Sequence, residues 1–243
     1  MNKCDWSVIV PMANEEKDFA PFIAEVNNIL SNLKSGIIYL VVDLVSKDKT
    51  WDLCQNLAER DTRYRAIWAP ENRNVVDAYM RGFKEAYKNG HEIIIEMDAG
   101  MSHDPQSIPL FLDALIAGNE CAFGSRFIKG GSMTDSVPTR KLLSYGGTLL
   151  SNILLGTSMY DMTSGFQGFH AHVIDLLLKY PLRSTAHFYQ TEVRYLLRKH
   201  RYVEIPIHYK APSPKVSHKA VLNAFKVLSY YFIQRISGRE VSI

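Results

Sequence analysis

Little in this 243-residue chain marks it for a membrane, a disulfide framework or a nucleic acid. Its three cysteines, Cys4, Cys54 and Cys121, are odd in number, far apart and without a C-x-x-C pair. A disulfide scaffold and a thiolate zinc site are therefore not expected, and all three are read as reduced packing residues. No apolar run approaches the roughly 18 residues of a spanning helix. Residues 1–6 are polar and lack a signal-peptide core. The expectation is a cytoplasmic protein, at most peripheral on a membrane face. A formal charge of only +3 is too weak and dispersed for a nucleic-acid partner. His187, His208 and His218 are not spaced as a metal cluster. Internal repeats and low-complexity stretches are also missing. What the chain does have is apolar residues, 47% of the total, enough for a full core.

Apolar runs and amphipathic stretches alternate along the first half. Strands are expected at 7–11, 37–43, 64–68, 92–97 and 121–125. Helices are expected at 15–33, 47–60, 75–88 and 105–117, with Asn89-Gly90 and Gly118-Asn119 as stop signals. β-branched runs joined by helices imply a mostly parallel sheet covered on both faces, an α/β fold. The second half is less regular. It reads as a Gly-Gly loop at 130–138, a helix at 139–155, a polar Gly-punctuated stretch at 161–169, a helix at 188–199, a strand at 202–209, a Pro-broken loop at 211–217 and a final helix at 219–236. Ligands of such sheets bind beyond the carboxyl ends of the strands. The segments to inspect are thus 11–16, 43–48 and 98–104, all polar and carboxylate-bearing.

These segments carry a resemblance. Val8, Ile9, Val10 and Pro11 with Asn14 and Glu15 resemble the opening of family 2 glycosyltransferases with the GT-A fold. Val41, Val42 and Asp43, then Ser46, Asp48 and Thr50, resemble their second motif, and Glu96, Met97, Asp98 and Ala99 the start of their D-x-D motif. The later segments are most similar to the polyprenyl-phosphate mannose synthases and their relatives. They comprise Asp98 to Pro105 with Ser102 and His103, Phe123-Gly-Ser-Arg126 with Gly130 and Gly131, Arg140 with Ser144 and Gly146, Asp161-Met-Thr-Ser-Gly-Phe166, Gln190 with Glu192, and Glu204 to Ile207. The similarity spans residues 6–218.

The resemblance implies an inverting transfer of a sugar from a nucleotide-sugar. Pro11, Asn14, Glu15, Asp43, Asp98 and Ala99 would bind the nucleotide, Asp43 at the base and Glu15 at the ribose. Asp98 would hold Mg²⁺ or Mn²⁺, hard cations that favour carboxylate oxygens. Arg126, Arg140 and Ser144 would position an acceptor phosphate, and Asp161 and Glu192 would orient groups around the sugar. Each has a plainer alternative. Asp43 could cap the next helix, Glu15 could sit in a first helical turn, Arg126 and Arg140 could be surface ion-pair partners, and 163–165 could be only a turn. His103 is expected to be structural.

The chain also departs from the pattern. Gly100 stands where the D-x-D motif has its second carboxylate, so metal would lean on Asp98 with Ser102, Asp104 or water. The Asp pair after the second strand is reduced to Asp43-Leu44, and the usual glycines at 73–78 are absent. The late basic loop has Pro212, Lys215 and His218 at its motif positions, with Lys210, Lys215 and Lys219 left to supply charge. Three readings follow: transfer to a polyprenyl phosphate, transfer to a glycan hydroxyl with Asp161 or Glu192 as general base, and a catalytically silent nucleotide-sugar-binding subunit. The expected organisation is a GT-A domain over 1–218 and a terminal helix over 219–243. That helix would contact a membrane surface, the core or a second copy of the chain.

Overall fold

The computed structural model describes residues 5–134, 136–210 and 217–243. Cys4 and positions 211–216 of the expected Pro-broken loop lie outside the described residues. In chain order the elements are β1 Trp6–Met12, α1 Phe19–Asn32, β2 Gly36–Val42, α2 Thr50–Arg60, β3 Tyr64–Trp68, α3 Val75–Lys88, β4 Ile93–Glu96, a 3₁₀ turn Pro105–Ser107, α4 Ile108–Ile116, β5 Cys121–Ser125, α5 Pro138–Leu155, β6 Gln167–His170, α6 Ala171–Lys179, α7 Tyr189–Leu196, β7 Tyr202–Pro206 and α8 His218–Ile236.

The strands form one seven-stranded sheet in the order β3-β2-β1-β4-β6-β5-β7. Side chains alternate between its faces, as the pleat requires. Val8, Val10, Ile38, Leu40, Ile93 and Ile95 pack with α1 and α4 through Phe22, Val26, Phe111 and Leu115. Ile9, Tyr39, Val41 and Ile94 face the other way, onto Tyr79 and Phe83 of α3, Val173 and Leu177 of α6, and Leu228 and Tyr231 of α8. Both faces are covered, which explains why β1, β2 and β4 read as continuous apolar runs.

Several boundaries differ from the sequence expectation for identifiable reasons. The helix expected from residue 15 starts at Phe19, because the 15–18 segment closes a turn in which Asp18 N–H donates to Glu15 O. The helix expected from residue 47 starts at Thr50, where the Asp48 side chain accepts from the Thr50 N–H. The expected 105–117 helix opens with a 3₁₀ turn capped by Asp104. The strand expected to reach Tyr209 ends as a strand at Pro206, which has no N–H to donate, and pairing continues only as isolated bridges at His208 and Tyr209. The 161–169 stretch conceals β6, inserted antiparallel between β4 and β5, and α6 had no counterpart among the expected elements. The order places β2 and β4 on either side of β1, a switch point whose carboxyl ends carry the segments at 11–18, 43–48 and 98–104.

Candidate active site

Two loops at the switch point are stitched together by side chains. Asn14 adopts a left-handed backbone (φ 60°), its side chain donating to Val45 O and accepting from Lys47 N–H. Glu15 N–H donates to Thr50 Oγ1, and Glu16 N–H to Asp48, whose carboxylate also accepts from the Ser46 and Thr50 hydroxyls. Asp43 is buried and accepts from Val45 N–H at 2.9 Å, which shapes the turn after β2 and not the helix after it.

The Glu15 carboxylate is left facing a cavity with Pro11, Asn14, Asp98 and Ala99. Partial burial, then the nearby Asp18, Asp48 and Asp98, push its pKa up to about 7. It also stands beside Gly100. That residue has φ +71°, and a side chain there would meet Glu15 oxygens at 3.1 and 3.5 Å. The position of the missing second carboxylate is thus fronted by a carboxylate from another loop. Asp104 is not available in its place. One of its oxygens accepts from Gln106 N–H and the other pairs with Lys210 at 2.7 Å, which also takes up the charge expected from Lys210.

Asp98 is held from below. Tyr79 Oη donates to Asp98 Oδ1 at 2.5 Å, and the Asp98 N–H donates to His103 Nδ1 at 3.1 Å. Nδ1 accepts that bond, so the ring carries its proton on Nε2, and burial lowers its pKa. Tyr79 stacks on Tyr189, whose hydroxyl donates to the buried Glu96, and Gln167 Nε2 donates to the same carboxylate at 2.5 Å. Burial raises Glu96 to about 8. Sequence reasoning missed Tyr79, Tyr189 and Gln167. The polar residues within apolar stretches (Glu96 closing an Ile run, Gln167 beside Phe166) were the available signal. Asp98 Oδ2 has no hydrogen-bond donor among the described residues and points toward the 163–165 loop, where a side chain on Gly165 would lie 3.3 Å from it.

Arg126 lines the cavity but is locked from behind. Its Nε and Nη2 donate to Asp161 at 2.7 and 2.8 Å, Nη2 also to Thr163 Oγ1, while Nη1 reaches Ser144 Oγ at 3.5 Å. Burial opposes ionisation of Asp161, but the Arg126 charge and hydrogen bonds win and hold its carboxyl at about 2. Asp161 is fully buried and does not line the cavity; it holds Arg126 in place. Behind it, the wholly buried Arg194 donates to Asp161 O, Gly124 O and Ser164 O, another role invisible in sequence. Glu192 is likewise turned away. It accepts from Arg183 N–H, Ser184 N–H and Tyr231 Oη, so it ties α7 to α8 and faces no sugar site. Arg140 differs from Arg126. It lines the same cavity, and among the described residues no carboxylate pairs with it.

The cavity measures about 1170 Å³. Its lining includes the polar Glu15, Asp98 and Ser102, then Arg126, Arg140, Ser144 and Thr163, and the apolar Leu142, Leu143, Leu150, Val221, Phe225 and Leu228 of α5 and α8. Asp43, Asp161 and Glu192 do not line it. Acidic oxygens, a guanidinium with no carboxylate partner among the described residues and apolar side chains thus line one space.

The family described as Glycosyl transferase family 2 matches residues 7–177. The dolichol-phosphate mannosyltransferase of Pyrococcus furiosus is 32% identical over 171 residues, 70% of this chain and 47% of that protein. The polyprenol monophosphomannose synthase of Mycolicibacterium smegmatis is 29% identical over 203 residues, 82% of this chain and 75% of that one. The undecaprenyl-phosphate mannosyltransferase of Micrococcus luteus is 29% identical over 170 residues, 69% and 70%. The chain therefore spans about half the length of the first of these relatives. Among solved structures, glucosyl-3-phosphoglycerate synthase from Mycobacterium tuberculosis, in complex with Mn²⁺, UDP and glucosyl-3-phosphoglycerate, superposes with a TM-score of 0.63. At 14% identity, over 97% of this chain and 79% of that one, this is a likeness of fold, and it bears out the expected GT-A architecture.

Proposed function

The chain belongs to glycosyl transferase family 2, and we propose that it transfers a hexose, mannose by its relatives, from a nucleotide-sugar to a polyprenyl phosphate with inversion. The observation that carries this reading is the mixed lining of one cavity. Acidic oxygens suit a metal-bound diphosphate, Arg140, which has no carboxylate partner among the described residues, suits a second anion, and the apolar side chains of α5 and α8 suit a hydrocarbon chain.

In the reaction an acceptor phosphate oxygen forms a bond to the anomeric carbon as the bond to the nucleoside diphosphate breaks, and the electron pair leaves with the diphosphate. A phosphate is already ionised near neutral pH, so the step asks for orientation and charge neutralisation more than for a base. Arg140 and the Nη1 of Arg126 supply fixed donors, with Ser144 between them. The residues also fit a divalent cation. Asp98 has one oxygen free, and Glu15 fronts the hollow left by Gly100, a pair of hard ligands of the kind Mg²⁺ or Mn²⁺ accepts alongside water. Such an ion, when bound, neutralises charge on the departing diphosphate. A glycan hydroxyl would instead need a general base, and the two candidates, Asp161 and Glu192, are both enclosed among buried partners.

Access for a lipid acceptor is supported by the outer faces of α5 and α8. Leu142, Tyr145, Leu149 and Ile153 form one exposed stripe, and Leu222, Phe225, Ile233 and Ile236 another. Lys141, Lys219, Lys226 and Arg239 are exposed around them, a composition suited to an anionic membrane surface. Among the described residues no helix is long and apolar enough to cross a membrane.

The test supplies GDP-, UDP-, CDP- and dTDP-sugars with either polyprenyl phosphate or a free glycan and separates the products. One donor should yield a lipid-linked sugar, and Arg140→Ala should raise the acceptor KM at least tenfold while nucleotide binding persists. Transfer to the free glycan with none to lipid phosphate would overturn the reading.

A further inference from the structure

A second cluster of chemistry-bearing side chains lies away from the cavity. Glu120 immediately precedes β5, His172 is in the first turn of α6, and His200 is in the turn between α7 and β7. One Glu120 oxygen, Oε1, is 3.0 Å from His172 Nε2 and 3.1 Å from His200 Nδ1, and the three ligand atoms all lie within 4.8 Å of one another. None of the three lines the catalytic cavity, which Arg126 enters from the opposite end of β5.

The surroundings suit a bound cation. His200 has oxygen acceptors at both ring nitrogens, Glu120 at Nδ1 and Ile243 O at 2.9 Å from Nε2. A neutral imidazole carries one proton, so one nitrogen would aim a lone pair at an acceptor. A cation at Nδ1 removes that conflict: Nε2–H donates to Ile243 O while the Nδ1 lone pair ligates. This is the outer hydrogen bond that fixes the tautomer of metal-bound histidines. The Glu120 carboxylate is held in the same manner, its Oε2 accepting from Arg201 N–H at 3.0 Å. The backbone on both sides of Glu120 is fixed as well, with Glu120 N–H donating to Arg201 O and His170 N–H donating to Glu120 O. Tetrahedral ligation at ~2.0–2.1 Å sets ligand–ligand separations of about 3.3 Å; the N···O distances of 3.0 and 3.1 Å need to open by a few tenths of an ångström, and the two ring nitrogens, within 4.8 Å of each other, need to close toward the same value.

We propose that Glu120, His172 and His200 form a structural divalent-metal site that takes Zn²⁺, with water in the fourth position. Two imidazoles and one carboxylate suit Zn²⁺ better than Mg²⁺, which prefers all-oxygen ligation. The ion clamps the start of β5, the start of α6 and the approach to β7. It is independent of the sugar-transfer reading and of Asp98.

The test titrates ZnCl₂ into the EDTA-stripped full chain by calorimetry, alongside His172→Asn, His200→Asn and Asp98→Asn. His172 is 57% exposed, so its variant leaves the core intact. One Zn²⁺ should bind in the wild type and in Asp98→Asn, at least tenfold more weakly in either histidine variant, and should raise Tm. Stoichiometric Co²⁺ should give the visible absorption of a four-coordinate site, lost in the same two variants. No Zn²⁺ uptake, uptake unchanged by both histidine variants, or uptake lost in Asp98→Asn overturns the proposal.

Discussion

Gly100 occupies the place where a second carboxylate was expected, and two features of the residue resist one. Its φ of +71° is strained for any side chain, at a cost of about 1 kcal/mol, and the Cβ would press against the Glu15 carboxylate. Gly100→Asp should therefore lower Tm by about 2–4 °C and fail to tighten Mn²⁺ binding in calorimetry. A variant that was more stable and bound Mn²⁺ tenfold better would defeat this account. Asp161 makes a second residue-scale prediction. Asp161→Asn leaves the buried Arg126 without its counter-charge and should cost about 3–5 kcal/mol. The folded carboxyl titrates at about 2 against an ordinary 3.8. Its contribution is present above about pH 4 and lost as pH falls through about 2. In urea unfolding the gap between wild type and variant should narrow across that window, and a gap independent of pH would sink the assignment.

At the scale of elements, α5 and α8 depend on each other's ends. α5 stops at Gly156 in a left-handed conformation (φ +67°), and the Arg235 guanidinium of α8 donates to the α5 carbonyls of Ile153 and Leu154. A methyl at Gly156 would collide with that guanidinium. Gly156→Ala should cost about 2 kcal/mol, left-handed strain plus a displaced cap, and Arg235→Ala should relieve part of it in a double-mutant cycle. A loss unaffected by Arg235→Ala would separate the two causes. Glu192 ties α7 to α8 in the same way. Glu192→Ala strips the acceptor from Arg183 N–H, Ser184 N–H and Tyr231 Oη and should cost about 3 kcal/mol, with nucleotide affinity unchanged. Loss of nucleotide affinity at full stability would return Glu192 to the site.

For the whole molecule, the polar cavity and the exposed stripes of α5 and α8 share one side. Leu149→Ser with Leu222→Ser, outside the cavity lining, should weaken sedimentation with anionic vesicles and reduce turnover on lipid phosphate, and leave nucleotide binding as it was. Both residues are largely exposed, so stability should stay within about 0.5 kcal/mol. Equal vesicle binding by the double variant would remove the membrane face from the reading.

The sequence by itself determined the α/β class, the strands β1 to β5 and the segments that would carry chemistry. Those features are local: β-branched runs buried on both faces, caps and stop residues, and polar loops at strand ends. It could not place β6, whose four residues pair with partners 44 to 77 positions away, Gln167 for instance lying across from Glu96. Nor could it rank equal-looking charges. Arg126 and Arg140 read alike, yet only tertiary packing brought Asp161 to one, while the other has no carboxylate partner among the described residues. His172 and His200 were passed over for the same reason, since a cluster drawn from three elements has no spacing in the chain. Burial and long-range contact decide which ionisable groups are consumed by the fold and which remain for a ligand, and neither is a property of any local stretch.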